Sequence, residues 1–329
     1  MSDVQVLESG LLTTIQDAHG RPGLGRYGVA PGGAMDAEAA RLANRLVGND
    51  GDAPVLEITM HGPTLRPERA AHVALAGADL GAISEHLRLR PGYSHRLPAG
   101  AVLRFEPSVG HGRGARAYLA VQGGFLVPEV LESTSTDRRS GFGGLGGREL
   151  RAGDVLTVGD DQGGPLRALV RGHPESAVYP NTPVEVRVIA TPSDLVWFGP
   201  EAFHRLVDAT WTVTGESDRN GIRLGGGHVA ALTSRIASLG VPVGSFQVPP
   251  SGEPIVTMVD GPVTGGYPVV GVVPRLDHGR LAQLGPGDLL RFRRISVEAA
   301  RELAAAVAEA AARDRIEVDP GDVAPGWAG

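Results

Sequence analysis

One glycine-rich loop carries the densest set of groups able to do chemistry. It runs Asp260-Gly-Pro-Val-Thr-Gly-Gly-Tyr-Pro268, between the apolar runs Ile255–Val259 and Val269–Val273. The loop sets a carboxylate, a hydroxyl, a phenol and bare backbone N–H groups side by side, and its glycines allow close approach of backbone to a ligand. Asp260 can act as a base or a hydrogen-bond acceptor. Arg219, on another Gly-rich stretch, has the fork that grips a carboxylate in bidentate fashion. Gln247, with the N–H groups of Gly265 and Gly266, can hold a carbonyl oxygen. Asp260, Arg219 and Gln247 are therefore the candidate catalytic residues. Thr264, Gly265, Gly266, Tyr267 and Ser217, with Gln16 and Asp17 near the N-terminus, are the candidate substrate-binding residues. Such groups orient and polarise a small polar molecule bearing an amide or a carboxylate.

What the chain lacks narrows the chemistry. There is no cysteine, so disulfides, thiolate metal sites and thiol nucleophiles are excluded. All 31 basic residues are arginine. Without lysine there is no Walker-type phosphate loop, no Schiff base and no attachment point for biotin. The histidines have no metal-ligand spacing, which leaves them structural or solvated, and no nucleophile elbow is present. Gly141, Gly143 and Gly146 form a G-x-G-x-x-G, but the segment leads into a turn and a strand rather than a helix, so it is not a dinucleotide fingerprint. A net charge of -6 argues against a nucleic-acid or anionic-membrane surface. The absence of a long apolar span or a leader pattern makes a cytoplasmic protein the expectation.

These groups need a frame, and the frame reads as mainly β. Short β-branched runs alternate with turn formers, 48 glycines and 25 prolines among 329 residues. Strands are expected at Val4–Ser9, Ala53–Thr59, His72–Ala76, Leu87–Leu89, Val102–Phe105, Ala117–Val121, Val184–Ile189, Thr210–Thr214 and Leu289–Phe292. Leu11–Asp36 reads as one long ordered loop. Asp36 caps the clearest internal helix, Ala37–Val47, with an apolar stripe at Ala39, Leu42, Ala43 and Leu46 and Gly48 past its end. Asn44, beside that stripe, should bond a neighbouring loop. Pro200–Asp208 reads as a short helix. Ser296 caps a last helix, Val297–Arg313, with a Glu309/Arg313 pair. Glu57 lies inside an apolar strand, so it must meet an arginine or backbone donors. Ser133–Thr136 with Arg138 and Arg139 reads as a solvated loop, with an anion grip as the alternative.

Four segments recur in the same order. Gln16-Asp-Ala-His-Gly20 matches Ser217-Asp-Arg-Asn-Gly221, and Val29–Met35 matches Val241–Gln247. Pro54–Pro63 matches Pro254–Pro262, and Leu97–Phe105 matches Leu284–Phe292. This order implies two copies of one β-rich domain with Gly-rich loops facing a shared cleft. The expected division is 1–175, 183–295 and a C-terminal helix with a loose tail, 296–329, the linker lying in the Pro/Gly-rich residues 160–182.

The segments Thr13–Asp17, Gly28–Asp36, Ala43–Asn49, Ser217–Leu224, Phe246–Pro249, Thr264–Pro268 and Ala282–Asp288 resemble the biotin-dependent carboxyltransferase / allophanate hydrolase subunit 2 family. The likeness spans about residues 4–295. Members include the C subunit of bacterial 5-oxoprolinase and the KipA-type antagonist of a sporulation-kinase inhibitor. The resemblance implies two tandem cyclophilin-like β-barrel domains with a few short helices. It also implies a hydrolase component that opens the lactam of 5-oxoproline to glutamate only with homologues of the A and B (KipI-like) subunits. The complex would use ATP, with no cofactor bound by this chain. A carboxyltransferase acting on a urea-like amide and a non-catalytic antagonist remain as alternatives. Two departures stand out: Glu132 replaces a usual Gly, and Pro262-Val263 stands where the family has Gln-Thr.

Overall fold

The computed structural model describes residues 2–106, 114–160, 182–191 and 194–313. The expected linker falls almost wholly, and the tail wholly, outside these residues. The Arg313 side chain, half of the expected Glu309/Arg313 pair, lies outside the description as well.

Period-2 patterning builds two β assemblies. In the N-terminal one, a six-stranded sheet has the order Val155–Val158, Ser2–Glu8, Thr64–Pro67, Leu103–Phe105, Ala82–Ser84, Leu87–Arg88. A five-stranded sheet has the order Leu12–Gln16, Val55–Thr59, Arg116–Val121, Ala71–Gly77, Tyr93–Leu97. Val4, Val6, Ile15, Leu56, Ile58, Leu65 and Phe105 fill the space between the sheets. The helix Ala37–Val47 covers the outer face of the second sheet, burying Ala40, Ala43 and Leu46 against Val55, Ala74 and Ala120. The second sheet is therefore covered on both faces. That is why Arg116–Val121, buried at every residue, reads as a continuous run rather than an alternating one.

The C-terminal assembly is a closed seven-stranded barrel: Val184–Ala190, Val269–Val272, Ser245–Gln247, Ile255–Thr257, Gly221–Gly225, Thr210–Val213, Leu289–Arg294. Parallel pairing of the first and last strands closes it. Phe246 and Phe292 meet edge to face at 4.7 Å in its core. Trp211 is fully buried with its indole N–H on Leu206 O. Met35, from the other half, belongs to this core. The mainly β architecture with few helices agrees with the expectation.

Two readings are corrected. Leu11–Asp36 is not one loop: Leu12–Gln16 is a strand paired in full register with Val55–Thr59. Its β-branched Thr13, Thr14 and Ile15 suit a pleated surface, and the glycines that follow obscured it. The Asp260–Pro268 loop is not wholly irregular, because Thr264–Gly265 pairs with Leu239–Gly240.

The helix Ala37–Val47 forms as read, and Asp36 accepts the Ala39 N–H at 3.1 Å. Asn44 bonds Ala53 O at 2.7 Å, the neighbouring-loop role expected of it. The repeat leaves a shared turn: Asp17 Oδ1 accepts the Gly20 N–H, and Asp218 Oδ1 accepts the Gly221 N–H.

Candidate functional site

The barrel strand Ile255–Thr257 ends two residues early because the chain turns onto a neighbouring loop. Met258 N–H bonds Asn220 O at 2.9 Å and Asp260 N–H bonds Arg219 O at 3.0 Å. These two backbone bonds set the Arg219 and Asp260 side chains together. Arg219 Nε and Nη2 reach the two Asp260 oxygens at 2.7 and 2.8 Å, a bidentate pair. The rest of the guanidinium crosses to the N-terminal assembly. Nη1 donates to Glu57 Oε1 at 2.5 Å and Nη2 to Gly33 O at 2.9 Å.

Glu57 is 1% exposed. Its Oε2 accepts from Met35 N–H at 2.8 Å and from the Tyr118 hydroxyl at 2.9 Å. Tyr118 lies directly across the ladder from Glu57, and its oxygen accepts the Asp36 N–H. The expectation that Glu57 meets an arginine and backbone donors is met. A second connection lies alongside. Gln283 Oε1 accepts Arg116 N–H at 3.1 Å, Gln283 Nε2 donates to Asp36 Oδ2 at 2.9 Å, and Arg116 Nη1 donates to Ala282 O. Gly114 must be glycine there, since a Cβ would sit 2.8 Å from Gln283 Oε1.

Burial pushes the Glu57 carboxyl up, but Arg219 and Arg116 beside it more than offset this and hold it below the usual carboxylate range. Burial pulls Arg219 down, yet Asp260 and Glu57 together raise it above the ordinary arginine value. Burial and the Glu57 charge hold Tyr118 well above the usual phenol. Glu57 is thus a fixed anion, Arg219 a fixed cation and Tyr118 a fixed donor. The least buried member is Asp260, whose side chain is 12% exposed. Arg219 occupies one lone pair on each Asp260 oxygen, which leaves acceptor sites for N–H groups of a small molecule.

The candidates fare differently. Arg219 and Asp260 are together, but Arg219 does not offer its fork to a ligand carboxylate: two carboxylates of the chain fill it. Gln247 is buried at the end of the barrel strand Ser245–Gln247, and a Cβ on Gly265 would lie 2.2 Å from its Nε2. Tyr267 is half-buried and Thr264 exposed. Along the loop backbone Gly265 pairs with Leu239, and Gly266 O accepts the Ile236 N–H. Ser217 is a turn residue: its hydroxyl accepts the Arg223 N–H, so it is not brought to the site.

Gln16 and Asp17 are buried at a different contact, with Ser133–Thr136. Asp17 Oδ2 accepts from Ser133 Oγ at 2.6 Å and Thr134 N at 2.7 Å, and Gln16 Nε2 donates to Thr136 O. Burial pushes Asp17 up, but bonds from Ser133, Gly20 and Thr134 hold it below its ordinary value. Ser133–Thr136 is accordingly buried rather than solvated, and the anion that the Ser133 and Thr134 hydroxyls grip is Asp17. Tyr118, Arg116 and Arg21 were missed. The signal for the first two was present: a tyrosine and an arginine two apart in an otherwise apolar strand. Among the described residues there is no cluster of three or more His, Cys, Asp or Glu able to hold a metal.

A barrel beside a two-sheet partner, tied by charges across the junction, defines a tandem β-domain protein. Residues 27–294 match the family described as carboxyltransferase domain, subdomain A and B, and the chain belongs to this family. It is 36% identical over 300 residues to the 5-oxoprolinase C subunit of Escherichia coli (strain K12), covering 90% of this chain and 93% of that protein. It is 33% identical over 310 residues to the 5-oxoprolinase C subunit of Haemophilus influenzae, covering 91% and 94%. It also superposes on the crystal structure of Kluyveromyces lactis urea carboxylase with a TM-score of 0.84 at 28% identity, over 99% of this chain and 31% of that one.

Proposed function

We propose that this chain is the C subunit of an ATP-dependent 5-oxoprolinase, which adds water across the lactam of 5-oxo-L-proline to give L-glutamate. Near full-length correspondence with two relatives bearing that name carries this reading. The geometry supports it through Asp260, a carboxylate held in one orientation by Arg219 and still able to accept the ring N–H. Gln247 packs against Gly265, and with the Gly265–Tyr267 segment it is the candidate for holding the carbonyl side of the amide. Homologues of the A and B subunits are the partners, in the cytoplasm, and a chain without lysine leaves the phosphate chemistry of ATP to them. Mixing the chain with A and B homologues and measuring glutamate release from 5-oxoproline with ATP tests the proposal. Release that needs all three chains supports it; an equal rate without this chain overturns it.

The superposition on urea carboxylase favours a second reading, transfer of a carboxyl group to a urea-like amide. The two share a neutral amide as the group recognised.

A further inference from the structure

Arg21 is 2% exposed, yet among the described residues it touches no carboxylate. Nε donates to Val130 O at 3.0 Å, and Nη2 donates to Ser135 O at 2.7 Å and Ser133 O at 3.3 Å. Its guanidinium stacks on Phe142, with the carbon 4.8 Å from the ring centre. Nη1 has no hydrogen-bond partner among the described residues. It faces Gly32, where a Cβ would find only Nη1 within 4 Å, at 3.5 Å. Gly32 N–H bonds Val259 O, so this spot lies where the N-terminal loop meets the residue preceding Asp260. A buried, charged donor left unmade is unfavourable, and native chains seldom keep one without use.

The surrounding charges identify what it takes. The charges acting on Arg21 are those of Asp17, Asp137 and Asp260. Asp17 is occupied by Ser133, Thr134 and Gly20, and Asp260 by Arg219. An incoming anion would be repelled by the same three carboxylates whose charges already act on Arg21. A neutral carbonyl oxygen meets the same donor without that repulsion.

We propose that Arg21 Nη1 is a substrate-binding donor that holds the carbonyl oxygen of a neutral amide, not a carboxylate, at the junction beside Asp260. This deepens the amide-binding reading above and rests on it. Arg21 would hold the C=O of the amide while Asp260 accepts its N–H.

The test measures binding to the isolated full-length chain by ligand-observed NMR and calorimetry. The probes are 2-pyrrolidinone (a lactam without a carboxylate), 5-oxoproline, and L-proline (a carboxylate without an amide). Wild type should bind both lactams and not L-proline. Arg21→Met removes the donor but also three backbone bonds, so Gly32→Asn is the decisive variant. Asparagine accepts the left-handed backbone that Gly32 adopts at φ 60°, and its side chain covers Nη1 while leaving the other bonds in place. Gly32→Asn should unfold at the wild-type temperature within a few degrees and bind 2-pyrrolidinone at least about tenfold more weakly. Unchanged binding in folded Gly32→Asn, equal binding of L-proline and 5-oxoproline, or no lactam binding by wild type (Nη1 then serving only a buried water) would each overturn the proposal. The two readings separate in the reconstituted complex. Glutamate release with an unchanged KM in Gly32→Asn removes Arg21 and leaves the function standing. Lactam binding that Gly32→Asn abolishes, without glutamate release, keeps Arg21 and removes the function.

Discussion

Glu57 and Arg219 are 162 positions apart in sequence, yet their side chains meet at 2.5 Å, 1% and 5% exposed respectively. Each belongs to a different β assembly, so this pair, extended by Asp260 and Tyr118, ties the halves together by charge. Removing one member of a buried pair leaves the other uncompensated, which costs about 3–5 kcal/mol. Arg219→Met should therefore destabilise the protein by about that amount. Glu57→Leu combined with Arg219→Met should recover part of the loss. Guanidinium unfolding midpoints of the two variants read this directly; a midpoint for Arg219→Met equal to wild type would mean the pair contributes nothing.

Asp260 plays a different part. Its loss leaves Arg219 still bonded to Glu57 and Gly33 O. Asp260→Asn should shift the melting temperature by only a few degrees. Turnover by the reconstituted complex should fall about a hundredfold or more, as for a lost acid–base or acceptor group. Full activity in this variant removes Asp260 from the site.

Acid should weaken the fold in two stages. Burial holds the His278 and His95 imidazoles below their ordinary 6.5. The unfolded chain therefore binds their protons first as pH falls, and stability declines from about pH 6.5 downward. Glu57 and Asp17 are held below their ordinary 4.5 and 3.8. Their contribution is present above those values and is lost as pH falls through the lower folded values. Melting temperatures from pH 8 to 3 should fall in both windows, and His278→Gln should flatten the first. A flat curve between pH 7 and 5 contradicts the histidine assignment.

Glu132 adopts φ 63°, in the left-handed region that glycine occupies without strain. A non-glycine residue there costs about 1–2 kcal/mol, and glycine gives back about 0.5–1 in unfolded-state entropy. Glu132→Gly should thus raise stability by about 0.5–1 kcal/mol, against the usual direction for a change to glycine. A lower unfolding midpoint would show that the Glu132 side chain does more than its backbone costs.

Gly265 tests whether Gln247 belongs to the working site. No positive φ constrains it, and a Cβ there would collide with the Gln247 amide at 2.2 Å. Gly265→Ala should lower turnover by displacing Gln247 while changing stability by less than about 1.5 kcal/mol. Unaltered turnover would place Gln247 outside the working site.

The sequence by itself determined the parts governed by local periodicity and capping. The helix Ala37–Val47 has its bounds written in Asp36, the apolar stripe and Gly48, because capping and amphipathicity act within a few residues. The mainly β character followed from β-branched runs between turn formers, and the need of Glu57 for an arginine followed from the penalty of burying a lone charge. What the sequence could not state was which arginine. Arg219 read as a ligand-binding fork and Ser133–Thr136 as solvated, because both have the composition of open loops. Only the tertiary structure, by bringing Glu57, Asp260 and Gly33 around Arg219 and Asp17 beneath Ser133, decided that these charges serve the chain itself. The physical reason is that pairing across more than a hundred residues depends on how the two assemblies pack, and no local pattern encodes that. The same packing leaves Arg21 Nη1 without a partner among the described residues and Asp260 the least buried member of its network.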